Sequence, residues 1–243
     1  MLHTLPTPVI FAHRGASAYA PENTLAAFEL AREQGANAIE LDVKLSADGV
    51  PVVFHDPTLD RRTNGSGTLA DFNLAALQKL DAGDGQRIPT LDQVFERLGR
   101  SLFINIELTN YTTSKDDLVD KVAELVKAHQ MQSHILFSSF LPKNLKRAAE
   151  LLPDVPRGLL ALPRGLGILA RTLGFRSPLY QAVHPNLKNT SRRMIAAAHK
   201  RGQRVHVWTV NDPAEMRQLA EWGADGIFTD DPQLAVQVLR ISS

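Results

Sequence analysis

The chain has 243 residues, 44% of them hydrophobic, with 27 Lys and Arg against 26 Asp and Glu and no cysteine. It is long enough to bury a full core, as one α/β barrel or as two smaller domains. A net charge of +1 gives no reason to expect nucleic acid or an anionic membrane as partner. The lack of cysteine excludes disulfides and thiolate metal sites, which leaves histidine and carboxylate for any metal.

The N-terminal stretch MLHTLPTPVIFAHRG has neither a basic leader nor a long apolar run, so VIFA (9–12) reads as a strand and not as a signal peptide. No stretch of about 18 residues is free of charge, and no membrane-spanning helix is expected. These features suggest a soluble cytoplasmic protein without a stable membrane anchor; the sequence leaves its oligomeric state open.

After VIFA comes TLAAFELAREQG (24–35), a helix pattern that opens on Thr24 and stops at Gly35. AIELDV (38–43) and PVVFH (51–55) are joined only by KLSADG, and we read them as one long, interrupted strand region. About 35 residues then separate His55 from the next helix near 90–99, far more than the usual βα loop of about 2–6. This segment, about 56–90, includes the helical NLAALQKLD and reads as a small insertion over one end of the fold. Further on come the strand LFINIEL (102–108) and the helix KDDLVDKVAELVKAH (115–129), whose acids come early and bases late, as the helix dipole favours. The strands HILFSSF (134–140), PRGLLAL (156–162) and LYQAVH (179–184) come next. The helix SRRMIAAAHKRG (191–202), the strand RVHVWTV (204–210), the helix DPAEMRQLAEWG (212–223) and the strand DGIFTD (225–230) complete the series. Eight strands alternating with helices in about 250 residues fit a single (β/α)₈ TIM barrel spanning 1–243, in preference to an open doubly wound sheet.

Side chains alternate along a strand. In AIELDV the apolar Ile39, Leu41 and Val43 share one face, and Glu40 and Asp42 share the other. In LFINIEL the same alternation groups Phe103, Asn105 and Glu107. Helices cover the apolar faces, so the acids enter the barrel. Adjacent strands lie about 4.8 Å apart, which gathers His13, Glu40, Asp42, His55 and Glu107 at the C-terminal mouth, where barrel enzymes keep their sites. Buried carboxylates need partners. Pairing with Arg14, Lys44 or Arg61 is one solution. Three acids without a thiolate also suit a hard divalent cation, Mg²⁺ or Ca²⁺, with Mn²⁺ a further candidate. His13 and His55 beside such a cation look like an acid–base pair for displacement at phosphorus. Arg14 would hold phosphate oxygens if the His-Arg-Gly turn redirects a side chain that alternation points outward. Glu22 and Asn23, in the Pro-Glu-Asn-Thr run, would support the site from behind the primary ligands. P-loop, nucleophile-elbow, zincin and dinucleotide fingerprints are all missing.

The combination of AHRGASAYAPENT (12–24), AIELDVKLSADGVPVVFHD (38–56), LDRRTNGSG (59–67), IELT (106–109), VWTVND (207–212) and GADGIFTDDP (223–232) resembles the glycerophosphodiester phosphodiesterase family along the whole chain. The resemblance implies metal-dependent hydrolysis of a small-molecule glycerophosphodiester, such as a deacylated phospholipid, to glycerol phosphate and an alcohol. It implies His13 and His55 as catalytic acid and base, Glu40, Asp42 and Glu107 as metal ligands, and Arg14 as phosphate ligand. Trp208 would line the pocket. The family often carries a lysine two residues after the third acid, where this chain has Thr109; Lys44, Arg61 or Arg164 could supply the missing cation. In the insertion, Arg61-Arg62-Thr63 stands where the family tends to Arg-Thr-Thr. Two other readings remain. The apolar, arginine-spaced GLLALPRGLGILARTLGF (158–175) could be an interfacial segment of a lysophospholipase D-like hydrolase. Alternatively, the chain could be a phosphate- or metal-binding module without turnover.

Overall fold

The computed structural model describes residues 2 and 5–240. Eight parallel strands close into a barrel: β1 (Val9–His13), β2 (Ala38–Leu45), β4 (Phe103–Leu108), β5 (Ile135–Ser139), β6 (Arg157–Ala161), β7 (Ala182–Pro185), β8 (Arg204–Val207) and β9 (Gly226–Thr229). Each pairs with its neighbour in this series, and β9 returns to β1. The covering helices are α1 (Leu25–Glu33), α3 (Leu91–Leu98), α4 (Leu118–Ala128), α5 (Pro142–Leu151), α6 (Ile168–Thr172), α7 (Arg192–His199), α8 (Pro213–Glu221) and α9 (Pro232–Arg240). This is the TIM barrel the alternating pattern predicts. The capping residues act as expected: Thr24, Ser191 and Asp212 each accept backbone N–H groups of the first turn. Asp116 and Asp117 precede α4, with Asp117 at its N-cap.

One expected strand needs correction. PVVFH does not extend AIELDV. β2 runs to Leu45, the chain reverses through Ser46–Val50, and β3 (Pro51–Val53) returns antiparallel along β2. The reversal is built by Ser46, whose N–H donates to the Val50 carbonyl and whose hydroxyl donates to Asp48, and by Gly49 at φ +75°. A left-handed residue at that point suits glycine. The barrel still has eight strands because β3 lies outside the ring.

Residues 54–90 then leave the barrel. Leu59, Leu69, Leu77 and Ile88 pack with Val52 and Phe54 into a small cluster of their own, which includes the single-turn helix α2 (Leu74–Leu77). Arg61 and Arg62 tie this segment to Glu22 in the β1–α1 connection.

Along the ring, Ile39, Leu41, Val43, Ile104, Ile106 and Leu108 face the helices. Inside, Val9, Phe11, Ala38, Phe103, Leu136 and Phe228 fill the N-terminal half. Above them sit two fully buried histidines, His184 on β7 and His206 on β8. His206 Nδ1 lies 3.2 Å from His184 Nε2. Gly158 makes room for them, since a Cβ there would fall 2.4 Å from His184 Nε2. Among the described residues no carboxylate pairs with either ring. Burial lowers His184 to about 3, and burial, His184 and Arg204 hold His206 well below the ordinary histidine range. The pair is therefore neutral in the fold.

A depressed histidine contributes stability that is complete above its unfolded pKa of about 6.5 and is lost as pH falls toward the folded value. Between pH 6.5 and 5, above most carboxylate titrations, each ring should cost up to about 1.4 kcal/mol per pH unit. Glu40 and Glu107, raised by burial, oppose this trend in the same window, so the histidine contribution is read in urea unfolding as a difference between proteins. His184→Gln, which cannot ionise, should shift the pH slope by about one proton relative to the wild type, toward stability that holds as pH falls. An unchanged slope would show that the pair does not stay neutral.

Candidate active site

The β-register assembles the site. His13 pairs with Glu40 across β1–β2, and Asp42 pairs with Glu107 across β2–β4. Alternation turns Glu40, Asp42 and Glu107 inward, and each offers an oxygen within 4.8 Å of the others. Glu40 and Asp42 are each only 2% exposed. Burial, then Asp42 and Glu107, push Glu40 well above the usual carboxylate range. Burial and Asp42 push Glu107 up to about 8. Burial alone would also raise Asp42, but Arg14, His55 and a bond from Asn23 hold it below its ordinary value.

One guanidinium thus faces three acids. Arg14 has φ +58°, and this left-handed turn swings it inward from its outward strand position, as the His-Arg-Gly turn suggested. Its Nε lies 3.3 Å from Asp42 Oδ2, and its Nη1 donates to Glu22 at 3.0 Å. Its backbone N–H donates to Glu40. Asn23 donates to Asp42 at 2.9 Å and accepts from the Asp42 N–H, so it fixes that carboxylate directly. Glu22 clamps three arginines, Arg14, Arg61 and Arg62. Ion pairing with Arg14 is therefore real but incomplete. Ionised together, the three carboxylates would carry more negative charge than Arg14 can offset, which is why Glu40 and Glu107 hold their protons so strongly, and the buried Asn105 Oδ1 beside them has no hydrogen-bond partner. A hard, oxygen-seeking divalent cation fits this donor set.

The histidines flank a cleft lined by these acids, Arg14 and Trp208. Each is held by a carboxylate that the sequence reading missed. His13 Nδ1 lies 2.6 Å from Asp230, which also accepts from Ser17 and Asn211. His55 Nδ1 lies 2.6 Å from Asp56, which two Arg61 nitrogens grip from the other side. A carboxylate only accepts, so both rings carry their proton on Nδ1 and keep Nε2 as the working atom. Burial alone would raise Asp230, but the bonds from His13, Asn211 and Ser17 bring it down to about 2. Arg61 and His55 hold Asp56 below its ordinary value. Asp56 was legible as the residue after His55. Asp230 comes directly after β9, which neighbours β1 only once the barrel closes.

Trp208 is half-buried. Its Nε1 donates to the His184 carbonyl at 2.8 Å, and its ring meets Phe140 edge-on. Of the three cations considered for the Thr109 position, Lys44 is the one in place: its ammonium donates to the Thr109 carbonyl and hydroxyl at 2.8 and 3.0 Å. Arg61 is committed to Asp56 and Glu22, and Arg164 lies in the β6–α6 connection.

A family model described as the glycerophosphoryl diester phosphodiesterase family matches residues 13–234. A glycerophosphodiester phosphodiesterase of Caldanaerobacter subterraneus is 37% identical over 96% of this chain and 98% of its own. One from Bacillus subtilis is 31% identical over 94% and 85%. A phosphodiesterase structure from Oleispira antarctica, in complex with the product sn-glycerol-3-phosphate, superposes with a TM-score of 0.87 at 32% identity, covering 100% of this chain and 99% of that one. With the sequence motifs and the barrel in agreement, this chain belongs to the glycerophosphoryl diester phosphodiesterase family, a family of phosphoric diester hydrolases.

Proposed function

We propose that the chain, acting as one catalytic domain with the 56–90 insertion over its mouth, hydrolyses glycerophosphodiesters such as glycerophosphocholine and glycerophosphoethanolamine. The products are sn-glycerol 3-phosphate and the head-group alcohol. The observation that carries the reading is the convergence of the Glu40–Asp42–Glu107 set with two carboxylate-held histidines on one cleft.

In this reading the three acids hold a divalent cation, which when bound neutralises phosphodiester charge. Arg14 meets a phosphate oxygen, and its link to Glu22 keeps it aimed. One histidine takes a proton from the attacking oxygen at Nε2, and the other gives a proton to the departing alkoxide. A new P–O bond forms as the P–O bond to the head group breaks. Asp230 and Asp56 act through the histidines: they fix the tautomer and favour the imidazolium that forms. Lys44 adds positive charge on the Thr109 side, and Trp208 provides an apolar wall for the glycerol or the head group.

Chelation should abolish release of glycerol phosphate, and Mg²⁺, Ca²⁺ or Mn²⁺ should restore it. His13→Ala and His55→Ala should each lower kcat by about 10²–10⁴-fold with an unchanged circular dichroism spectrum. Activity that survives exhaustive chelation, or either alanine variant with full activity, would overturn the reading.

Asp230→Asn should leave KM near its wild-type value and lower kcat by about 10–100-fold, because an amide can donate to Nδ1 and stabilise the wrong tautomer. Asp230→Glu should recover part of the loss. A change confined to KM would move Asp230 from orienting His13 to binding substrate.

A further inference from the structure

The net charge of +1 conceals a segregation. Between Val155 and Asn211 the chain carries ten Lys and Arg and no Asp or Glu. The acids are concentrated in the rest of the barrel, so the β6–β8 sector is strongly basic and the remainder is acidic.

The same sector carries most of the exposed large apolar side chains among the described residues: Leu162 at 40%, Ile168 at 53%, Leu169 at 72% and Leu173 at 65% exposure. Isolated exposed leucines are ordinary; a cluster within twelve residues is not. The 158–175 stretch begins as buried strand β6 and continues into the short α6 with its flanking turns. Arg171 ties α6 back to the C-terminal end of β6, with its guanidinium donating to the Leu162 and Arg164 carbonyls. The Arg164 N–H donates to Asn189, in the connection whose Leu187 N–H is bonded to the Trp208 carbonyl. The apolar cluster therefore lies on the mouth side, beside the strand ends that deliver Leu160 and Trp208 to the cleft.

Arg164, Arg171, Lys188, Arg192 and Arg193 surround this edge, and among the described residues none of them forms an ion pair with a carboxylate. Their positive charge is left for an external anion.

We infer that this edge docks reversibly on the surface of an anionic phospholipid bilayer. Ile168, Leu169 and Leu173 enter the head-group region, and the cations without acidic partners meet lipid phosphates. Charge complementarity commits the occupant. A second copy meeting the edge with its own edge would set cations against cations, and one meeting it with its acidic remainder, whose exposed large apolar side chains among the described residues are Tyr19 and Tyr111, would leave the leucines without an apolar cover, whereas an anionic bilayer satisfies both. The acidic remainder of the barrel orients the molecule with its basic edge down. Resting on the function proposed above, docking places the mouth of the barrel beside the lipid surface.

The test is co-sedimentation of the full chain with phosphatidylcholine vesicles, with and without phosphatidylglycerol. The expected result is binding only when phosphatidylglycerol is present, weakening steeply with salt. It should fall about tenfold or more in Leu169→Asp/Leu173→Asp and, separately, in Arg192→Glu/Arg193→Glu. Both variants should hydrolyse soluble glycerophosphocholine at the wild-type rate. Three results would overturn the inference: no binding to phosphatidylglycerol vesicles, binding indifferent to both variants, or a leucine-dependent dimer that leaves vesicles alone. Failure of the wild type on glycerophosphocholine would instead strike the proposed activity, while the sedimentation result stays readable.

Discussion

Three carboxylates forced into one dry volume set the terms for the rest of the molecule. Glu40 and Asp42 are two residues apart on β2, and Glu107 stands beside Asp42 on the next strand. Register and alternation place all three inward whatever else happens. The burial of like charges is costly without compensation. Arg14 offsets part of it, but a strand residue at that position would point at helices. The left-handed turn at Arg14, continued by Gly15 at φ +84°, brings the guanidinium round. Gly15 allows no substitute there, because a Cβ would sit 2.6 Å from the Ala27 backbone. The histidine, the turn and the first covering helix are thus one device built around the acids.

Compensation spreads outward in layers. Glu22 holds Arg14 and is itself held by Arg61 and Arg62, so the 54–90 segment is anchored by the same carboxylate that holds Arg14. Arg61 also grips Asp56, which orients His55. A single arginine therefore couples the placement of the insertion to the placement of a proposed catalytic histidine. On the other side, Asp230 bonds His13, Ser17 and Asn211, which ties the end of β9 to the end of β1 where the barrel closes. Disturbing that closure would disturb His13 first.

What could be read in the sequence depends on how local each interaction is. Alternation within AIELDV and LFINIEL gave the inward acids, and capping residues gave the helix starts, because both depend on neighbours a few positions away. The reversal after Leu45 was missed although its parts, Ser46, Asp48 and Gly49, are local: a strand run followed by another strand run reads equally well as one interrupted strand. Asp230 was out of reach for a different reason. It lies 217 positions from His13, and only barrel closure brings them together. Lys44 was one of three cations named for the Thr109 position, and choosing it over Arg61 and Arg164 needed the β2–β4 register. The His184–His206 pair also depends on register, with a glycine opposite that looks featureless in the sequence.

Net charge was the least informative number because it averages over the molecule. A solvated barrel with mixed charges and this one with its basic sector have the same total. What separates them is position: a run of fifty-seven residues without an acid, Val155 to Asn211, forms contiguous strands and connections in a barrel, so segregation along the chain becomes segregation in space. The carboxylate side of the ring gathers cations into the cleft, as Arg14 and Lys44 illustrate. On the opposite side Arg204 meets Asp225, but among the described residues Arg164, Arg171, Lys188, Arg192 and Arg193 have no carboxylate partner and remain available at the rim. One polarity thus runs through the barrel, from a cation-seeking cluster on β2 and β4 to an anion-seeking edge at β6–β8.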